Sequence, residues 1–306
     1  MRAPVIVHCD WSLHPRKRWM TAALPRGGRY LLGAPEPVGD TATLLARLRG
    51  AGPLLIGFDF PIGLPAAYGA RTGFADFPTA LAGFGTGDWA DWFSVSREPG
   101  QISLHRPFYP HAPGGRKRDH LTAGLDLPGF EALLRLCDRK TPTRPAACAL
   151  FWTLGGNQVG KAAITGWQEV LQPNLSRIGL WPFQGRLHDL LARHATVVAE
   201  TYPAEAYGQI GITKSAQWSK RNQDHRRAHA AAPLLDWIAR RGHDATPALR
   251  AQIRAGFSPG PEGEDQFDAL AGLCAMLDVV QGHLPEGAPE QPDIRQWEGW
   301  ILGQQP

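Results

Sequence analysis

The chain is 306 residues long, 43% hydrophobic and 20% charged, the balance of an ordinary folded protein and not of a disordered or fibrous one. Its 32 Lys and Arg against 28 Asp and Glu leave a formal charge of +4, compatible with a polyanionic partner without demanding one. No apolar run approaches the roughly 20 residues of a membrane span, residues 3–7 are too few for a signal peptide, and Cys9, Cys137, Cys148 and Cys274 form no C-x-x-C pair, so the expectation is a cytoplasmic protein with free thiols and neither a zinc ribbon nor a disulfide framework.

Residues 3–9 (APVIVHC) are a β-branched run that reads as a buried strand ending at Asp10. Segments 18–24 and 29–33 flank Pro25-Arg26-Gly27-Gly28, which predicts a hairpin. Asp40 or Thr41 starts a short helix carrying Leu44, Leu45 and Leu48. Residues 53–58 (PLLIGF) predict a second buried strand, again closed by an acid, Asp59. From 60 to 195 the chain turns rich in Gly, Pro and aromatic residues, with local helical signals at 128–139, 160–171 and 185–194. Residues 196–199 (TVVA) predict a third buried strand, followed by Glu200. A basic helical stretch at 214–241 and a helix from about 264 to 280 follow. The tail after 285 is irregular, with Trp297, Trp300 and Ile301 as candidates to dock on the body. This order predicts an α/β protein, a mixed sheet flanked by helices. Its core is 1–60 plus 195–285, its insertion 61–194 covers or shapes one side of the site, and 286–306 is a tail.

Three apolar strands thus end in carboxylates, and ligand sites of open α/β sheets lie beyond strand ends. Acids also terminate strands simply because they are poor strand formers. The last helix adds Glu264, Asp265 and Asp268. The latter two are spaced i, i+3 on a face that continues through the small residues Gly272 and Ala275, which permits close approach to a sheet. Converging carboxylates repel, so they take up protons or bind a cation. Oxygen ligands without His or Cys select Mg²⁺ or Mn²⁺, and a pair of such ions suits in-line attack on a phosphodiester.

The segments Cys9-Asp10-Trp11-Ser12, Gly57-Phe58-Asp59-Phe60-Pro61-Ile62-Gly63-Leu64-Pro65, Glu200-Thr201-Tyr202-Pro203-Ala204-Glu205 and Asp265-Gln266-Phe267-Asp268-Ala269-Leu270 together resemble the uncharacterised family called domain of unknown function 429. The matching segments fall within about 1–60 and 195–280. The resemblance implies a ribonuclease H-like fold and a nuclease. The order of acids also resembles RuvC-type junction resolvases, in which one acid follows the first strand, one the fourth, and two lie on the last helix. It implies Asp10, Asp59, Asp265 and Asp268 as metal ligands. Glu200 has no counterpart in that order, and stays open as a ligand, as a group that orients one, or as a structural acid holding the Tyr202-Pro203 turn.

Gly155 to Ala162 nearly matches a phosphate-binding loop, but Ala162 stands where a metal-binding hydroxyl belongs. What survives is a helix start with Lys161 beside it that holds a substrate phosphate. His225 and His229 are spaced for zinc but lack the Glu of H-E-x-x-H. Basic residues gather at Arg116, Lys117 and Arg118 and again at Lys214, Lys220, Arg221, Arg226 and Arg227 around Trp218, and Trp89 and Trp92 are candidates to stack on bases. The expected activity is Mg²⁺- or Mn²⁺-dependent hydrolysis of DNA or RNA, with Asp10, Asp59 and Asp268 as ligands, Asp265 and Glu200 beside them, and Lys161, Arg116, Lys117, Arg118, Lys220 and Arg221 on the substrate. The rivals are a non-catalytic nucleic-acid-binding scaffold of the same fold, and an actin-like ATPase.

Overall fold

The computed structural model describes residues 2–142, 144–154, 159–213 and 218–306. Its strands are Val5–Asp10 (β1), Trp19–Arg26 (β2), Arg29–Leu32 (β3), Glu36–Pro37 (β4), Leu54–Phe58 (β5), Gly179–Leu180 (β6), Thr196–Glu200 (β7) and Asp244–Ala245 (β8). They form one mixed sheet in the order β6-β7-β5-β1-β2-β3-β8, with β4 paired to β2. At its centre β1, β5 and β7 run parallel and are buried along their whole length. Continuous β-branched and aliphatic runs are what a strand covered on both faces requires. The β2–β3 hairpin turns at Gly27 and Gly28, whose φ values of 57° and 79° lie in the left-handed region. Helices flank the sheet, and among the described residues none is long and apolar enough to cross a membrane.

Register assigns the two faces. Cys9, Phe58 and Glu200 stand in one row across β1, β5 and β7. Side chains alternate along a strand, so Ile6, Leu55, Val197 and Ala199 enter one core and Val7, Cys9, Ile56, Phe58 and Val198 the other. The first core is closed by the helices of residues 203–280. The second is closed by the 61–194 segment, whose Trp92, Phe108, Phe151 and Trp167 join the strand residues in one cluster. That segment also supplies edge strand β6. Trp92 is fully buried, stacks on Phe84 at 3.7 Å and donates from Nε1 to the Tyr68 hydroxyl at 2.7 Å. It is a core residue, and no base can reach it. Trp89 packs on Phe74 and Phe84.

The long helix Pro261–Val280 lies across β1 and β2. Pro261 opens it, where a missing N–H costs nothing, and Glu262 and Glu264 favour its positive end. Gly272 is what lets it approach: a Cβ there would stand 2.2 Å from Nε2 of the buried His8 on β1. His8 Nδ1 pairs with the Ala269 carbonyl at 3.1 Å.

The expected basic helix is two, Gln223–His229 and Ala231–Arg240. Pro233 accounts for the break, because a helix running through it would lose an N–H and clash with the carbonyl four residues back. The 128–139 segment forms two short 3₁₀ turns, Phe130–Leu133 and Leu136–Asp138. The tail docks: Trp297, Trp300 and Ile301 are buried, and Ile301 bridges to Glu200 at the end of β7.

Candidate functional site

Asp10 ends β1 and Asp59 follows β5, and both belong to the face covered by the long helix. The two strands are neighbours, so the two acids stand side by side at adjacent strand ends. Buried carboxylates so close to one another repel, and one of them takes up a proton. Burial, then the charges of Asp59, Asp268 and Asp265, raise Asp10 well above the usual carboxylate range. Asp10 is therefore the acid of the pair that holds its proton more tightly. Asp59 is itself pushed up to about 7, chiefly by burial. The opposing influence is the Trp11 backbone N–H, which donates to Asp59 Oδ1 at 2.7 Å.

The Trp11 side chain is in turn fixed by two contacts. Its indole Nε1 donates to Thr165 Oγ1 at 3.0 Å, and the Arg18 guanidinium lies 4.1 Å from its ring centroid. Arg18 is 1% exposed and held by Glu169 at 2.5 Å. Thr165 sits on the helix Val159–Gly166. Lys161 lies one turn earlier on the same helix, a spacing that places it on the face presented to Trp11.

The long helix supplies the other acids. Asp268 is buried and doubly satisfied: the Tyr207 hydroxyl donates to Oδ1 and the Lys220 ammonium to Oδ2. Lys220 also reaches Glu264 Oε1 at 3.1 Å. Burial pulls the Lys220 pKa down, but Asp268 and Glu264 outweigh it and hold the ammonium firmly charged. Asp265, one residue after Glu264, is raised to about 6 by burial and by its neighbours Glu264 and Asp268. Its Oδ2 is a buried oxygen with no hydrogen-bond partner. Lys17, on the turn after β1, and Lys220 both act on Asp265 in the opposite sense.

Asp10, Asp59, Asp265 and Asp268 are thus gathered into one electrostatically linked group. Glu200 is not among them. It stands in the row of Phe58, one residue short of Asp59, and points to the other face. There Arg135 grips it through two bonds of 2.6 and 2.7 Å, and Ile62 N donates to it at 2.6 Å. Arg135 also binds Asp138 at 2.8 Å. Of the roles left open for Glu200, the contacts are those of a structural acid, holding the Ile62 loop and the 135–138 turn to the end of β7.

The expected substrate contacts divide as well. Lys220 lies in the acid group, and Arg221 stands 3.6 Å from Glu264 at its edge. Arg116 is paired with Glu98 at 2.8 Å, Lys117 is exposed, and Arg118 lies over Phe130 and Trp152, at 5.2 and 5.8 Å from the ring centroids. Arg226 is buried and donates to backbone carbonyls, so it is no phosphate ligand. Residues 155–158 of the glycine-rich loop, and Lys214, lie outside the described residues. Gly160 is a packing glycine, since a Cβ there would stand 2.3 Å from the Leu150 carbonyl. His225 Nδ1 accepts from Ser219 N at 3.2 Å, and the His225 and His229 rings are 6.2 Å apart.

The donor set suits a hard divalent cation: all oxygen, short of counter-charge, with one buried oxygen unpartnered. Among the described residues, however, no three His, Cys, Asp or Glu side chains converge on one point as ligands. Asp268 is turned to Lys220, while Asp10 is turned to Asp59. Tyr207, Lys220 and the Trp11 backbone N–H are site groups that sequence reasoning did not assign to these acids, apart from Lys220 as a phosphate contact. The sequence signal for Tyr207 is its place in the first turns of a helix that starts directly after β7.

No family model, curated protein or solved structure matches the chain.

Proposed function

We propose that this protein is a Mg²⁺- or Mn²⁺-dependent hydrolase of nucleic-acid phosphodiester bonds, built on a ribonuclease H-like sheet. The observation that carries the reading is the placement of Asp10 and Asp59 at adjacent strand ends, where burial raises both above the usual carboxylate range. Two acids forced together without a counter-ion, with Asp265 and Asp268 alongside, store unfavourable charge that a divalent cation relieves. The placement supports the likeness to the junction resolvases. Asp10 ends the first strand, Asp59 follows the fourth of the strands longer than two residues, and the last pair lies on the long helix.

Asp10, Asp59 and Asp265 would hold the cation, with Asp268 joining them once it is released from Lys220. A bound ion supplies charge neutralisation at the phosphate and an acidified water. The remaining roles belong to the chain. The Trp11 N–H fixes which oxygen of Asp59 faces the pocket, and the Arg18–Glu169 pair and Thr165 fix Trp11. Lys17, whose charge acts on Asp265, is placed to hold a substrate phosphate, and Lys161, one turn before the Thr165 that holds Trp11, would hold another.

The test is cleavage of labelled single-stranded, duplex and branched DNA and RNA with Mg²⁺, with Mn²⁺ and with EDTA. Cleavage that requires the metal and is lost in Asp10→Asn supports the proposal. Binding of nucleic acid that survives Asp10→Asn without any cleavage by the wild type identifies a scaffold instead. Stabilisation by ATP without cleavage points to the ATPase rival.

A further inference from the structure

The Lys220 ammonium contacts Asp268 Oδ2 and lies 3.1 Å from Glu264 Oε1. Both Asp10 and Asp59 feel its charge. The placement is built into the fold and does not depend on a wandering surface side chain. Arg226, fully buried, donates from Nη1 to the Lys220 carbonyl. The same guanidinium donates to the Gly256 carbonyl at 2.8 Å and the Ser258 carbonyl at 2.6 Å, in the loop that leads into the long helix. Asn222 caps the following helix by accepting from Asp224 N and His225 N. The Lys220 backbone is therefore fixed to the element that carries Asp268. The side chain is still 36% exposed, so it has a path into solvent.

We propose that Lys220 is a tethered counter-ion that competes with the divalent cation for Asp268, so that metal entry displaces its ammonium toward the incoming phosphate. The inference rests on the metal-dependent reading of the acid group. Physically, one ammonium on a chelating oxygen must be removed before that oxygen can bind a metal. The displaced charge then stands at the rim of the same pocket, where an anionic substrate arrives. Arg226 is the positioning residue: it sets where the ammonium starts and how far it can travel.

The test is Mn²⁺ titration followed by electron paramagnetic resonance, on wild-type protein, Lys220→Met and Lys220→Arg, at neutral pH and without substrate. The methionine removes the competitor and keeps the apolar stem, so Mn²⁺ should bind at least about tenfold more tightly, the worth of one unit charge a few ångströms away in a partly exposed site. The arginine keeps the charge and should leave Mn²⁺ affinity within about twofold of wild type, a span well inside the factor expected for losing that charge. Lys220→Gln serves where methionine does not fold, because it retains a donor to Asp268 without the charge. Mn²⁺ binding by the wild type that neither neutral variant tightens overturns the counter-ion role and leaves the metal-dependent reading standing. Absence of Mn²⁺ binding from the wild type and both neutral variants overturns both.

Discussion

Phe58 and Glu200 are register partners in the parallel ladder between β5 and β7, and they direct their side chains to the same face of the sheet. The residue after Phe58 is Asp59, so the acid that follows β5 and the acid that ends β7 face opposite ways. One step of register separates a carboxylate in the candidate site from one locked in a structural ion network.

That separation predicts different consequences for two acidic residues of the same sheet. Glu200→Gln should leave Mn²⁺ affinity unchanged and lower stability, because it leaves Arg135 buried with one charged partner fewer. Breaking a buried pair in this way costs about 3–5 kcal/mol. Asp10→Asn should do the reverse, abolishing Mn²⁺ binding while leaving stability equal or improved. Urea unfolding of both variants beside Mn²⁺ titration separates the two roles. Loss of Mn²⁺ binding in a folded Glu200→Gln protein would place Glu200 in the site after all.

Gly272 and His8 make a second pair whose coupling is measurable. A methyl at 272 would sit 2.2 Å from the imidazole, which is fully buried and has no room to retreat. Gly272→Ala should therefore destabilise by about 1–3 kcal/mol despite the better helix propensity of alanine. Adding His8→Ala makes room, and the double variant should be less destabilised than the sum of the single ones by about 1 kcal/mol or more. Additive effects would mean that the helix does not pack on β1 as described.

His8 also sets a pH dependence. Burial lowers its pKa from 6.5 to about 3. The folded state thus binds fewer protons than the unfolded state between those values, and stability is lost as pH falls through that window. The loss attributable to His8 is on the order of 3–5 kcal/mol across the window. His8→Leu removes this contribution. Measured against wild type at each pH, the variant should therefore gain relative stability from pH 6.5 downward, and a pH-independent difference between the two would refute the assignment.

Asp59 titrates in the opposite sense. Its pKa is raised to about 7 without a bound cation. The folded protein takes up a proton there as pH falls, so the favourable contribution of the protonated acid is complete below the ordinary carboxylate range and is lost as pH rises through 7. A metal must displace that proton. Mn²⁺ affinity should accordingly weaken as pH falls below about 7, by up to tenfold per unit for each proton released. A flat Mn²⁺ affinity between pH 5.5 and 8 would argue against Asp59 as a ligand.

Sequence reasoning reached the central strands because Val5–Asp10, Leu54–Phe58 and Thr196–Glu200 are mostly apolar runs that end in or are followed by an acid. It reached the close approach of the last helix because Gly272 and Ala275 continue the face of Asp265 and Asp268. It did not separate Glu200 from Asp59, since facing is decided by inter-strand register, which no single strand records. Arg135 carried no signal of its own, lying in the 128–139 stretch that reads as one helix and folds instead as two 3₁₀ turns. Nor did the aromatic richness of 61–194 reveal its role: Trp92 and Trp167 are spaced by tertiary packing over a sheet face and not by any local repeat. Lys220 read as one of several surface cations, because what turns it to Asp268 is the buried Arg226, which ties the Lys220 carbonyl to the distant Gly256 and Ser258 carbonyls.

Anomalous diffraction from crystals soaked in Mn²⁺ tests the convergence of these acids most directly. The predicted result is density bonded to Asp10 and Asp59, with Asp265 or Asp268 completing the ligands and the Lys220 ammonium moved off Asp268. Crystals that take up Mn²⁺ elsewhere and leave Asp10 and Asp59 without a bound ion would contradict it.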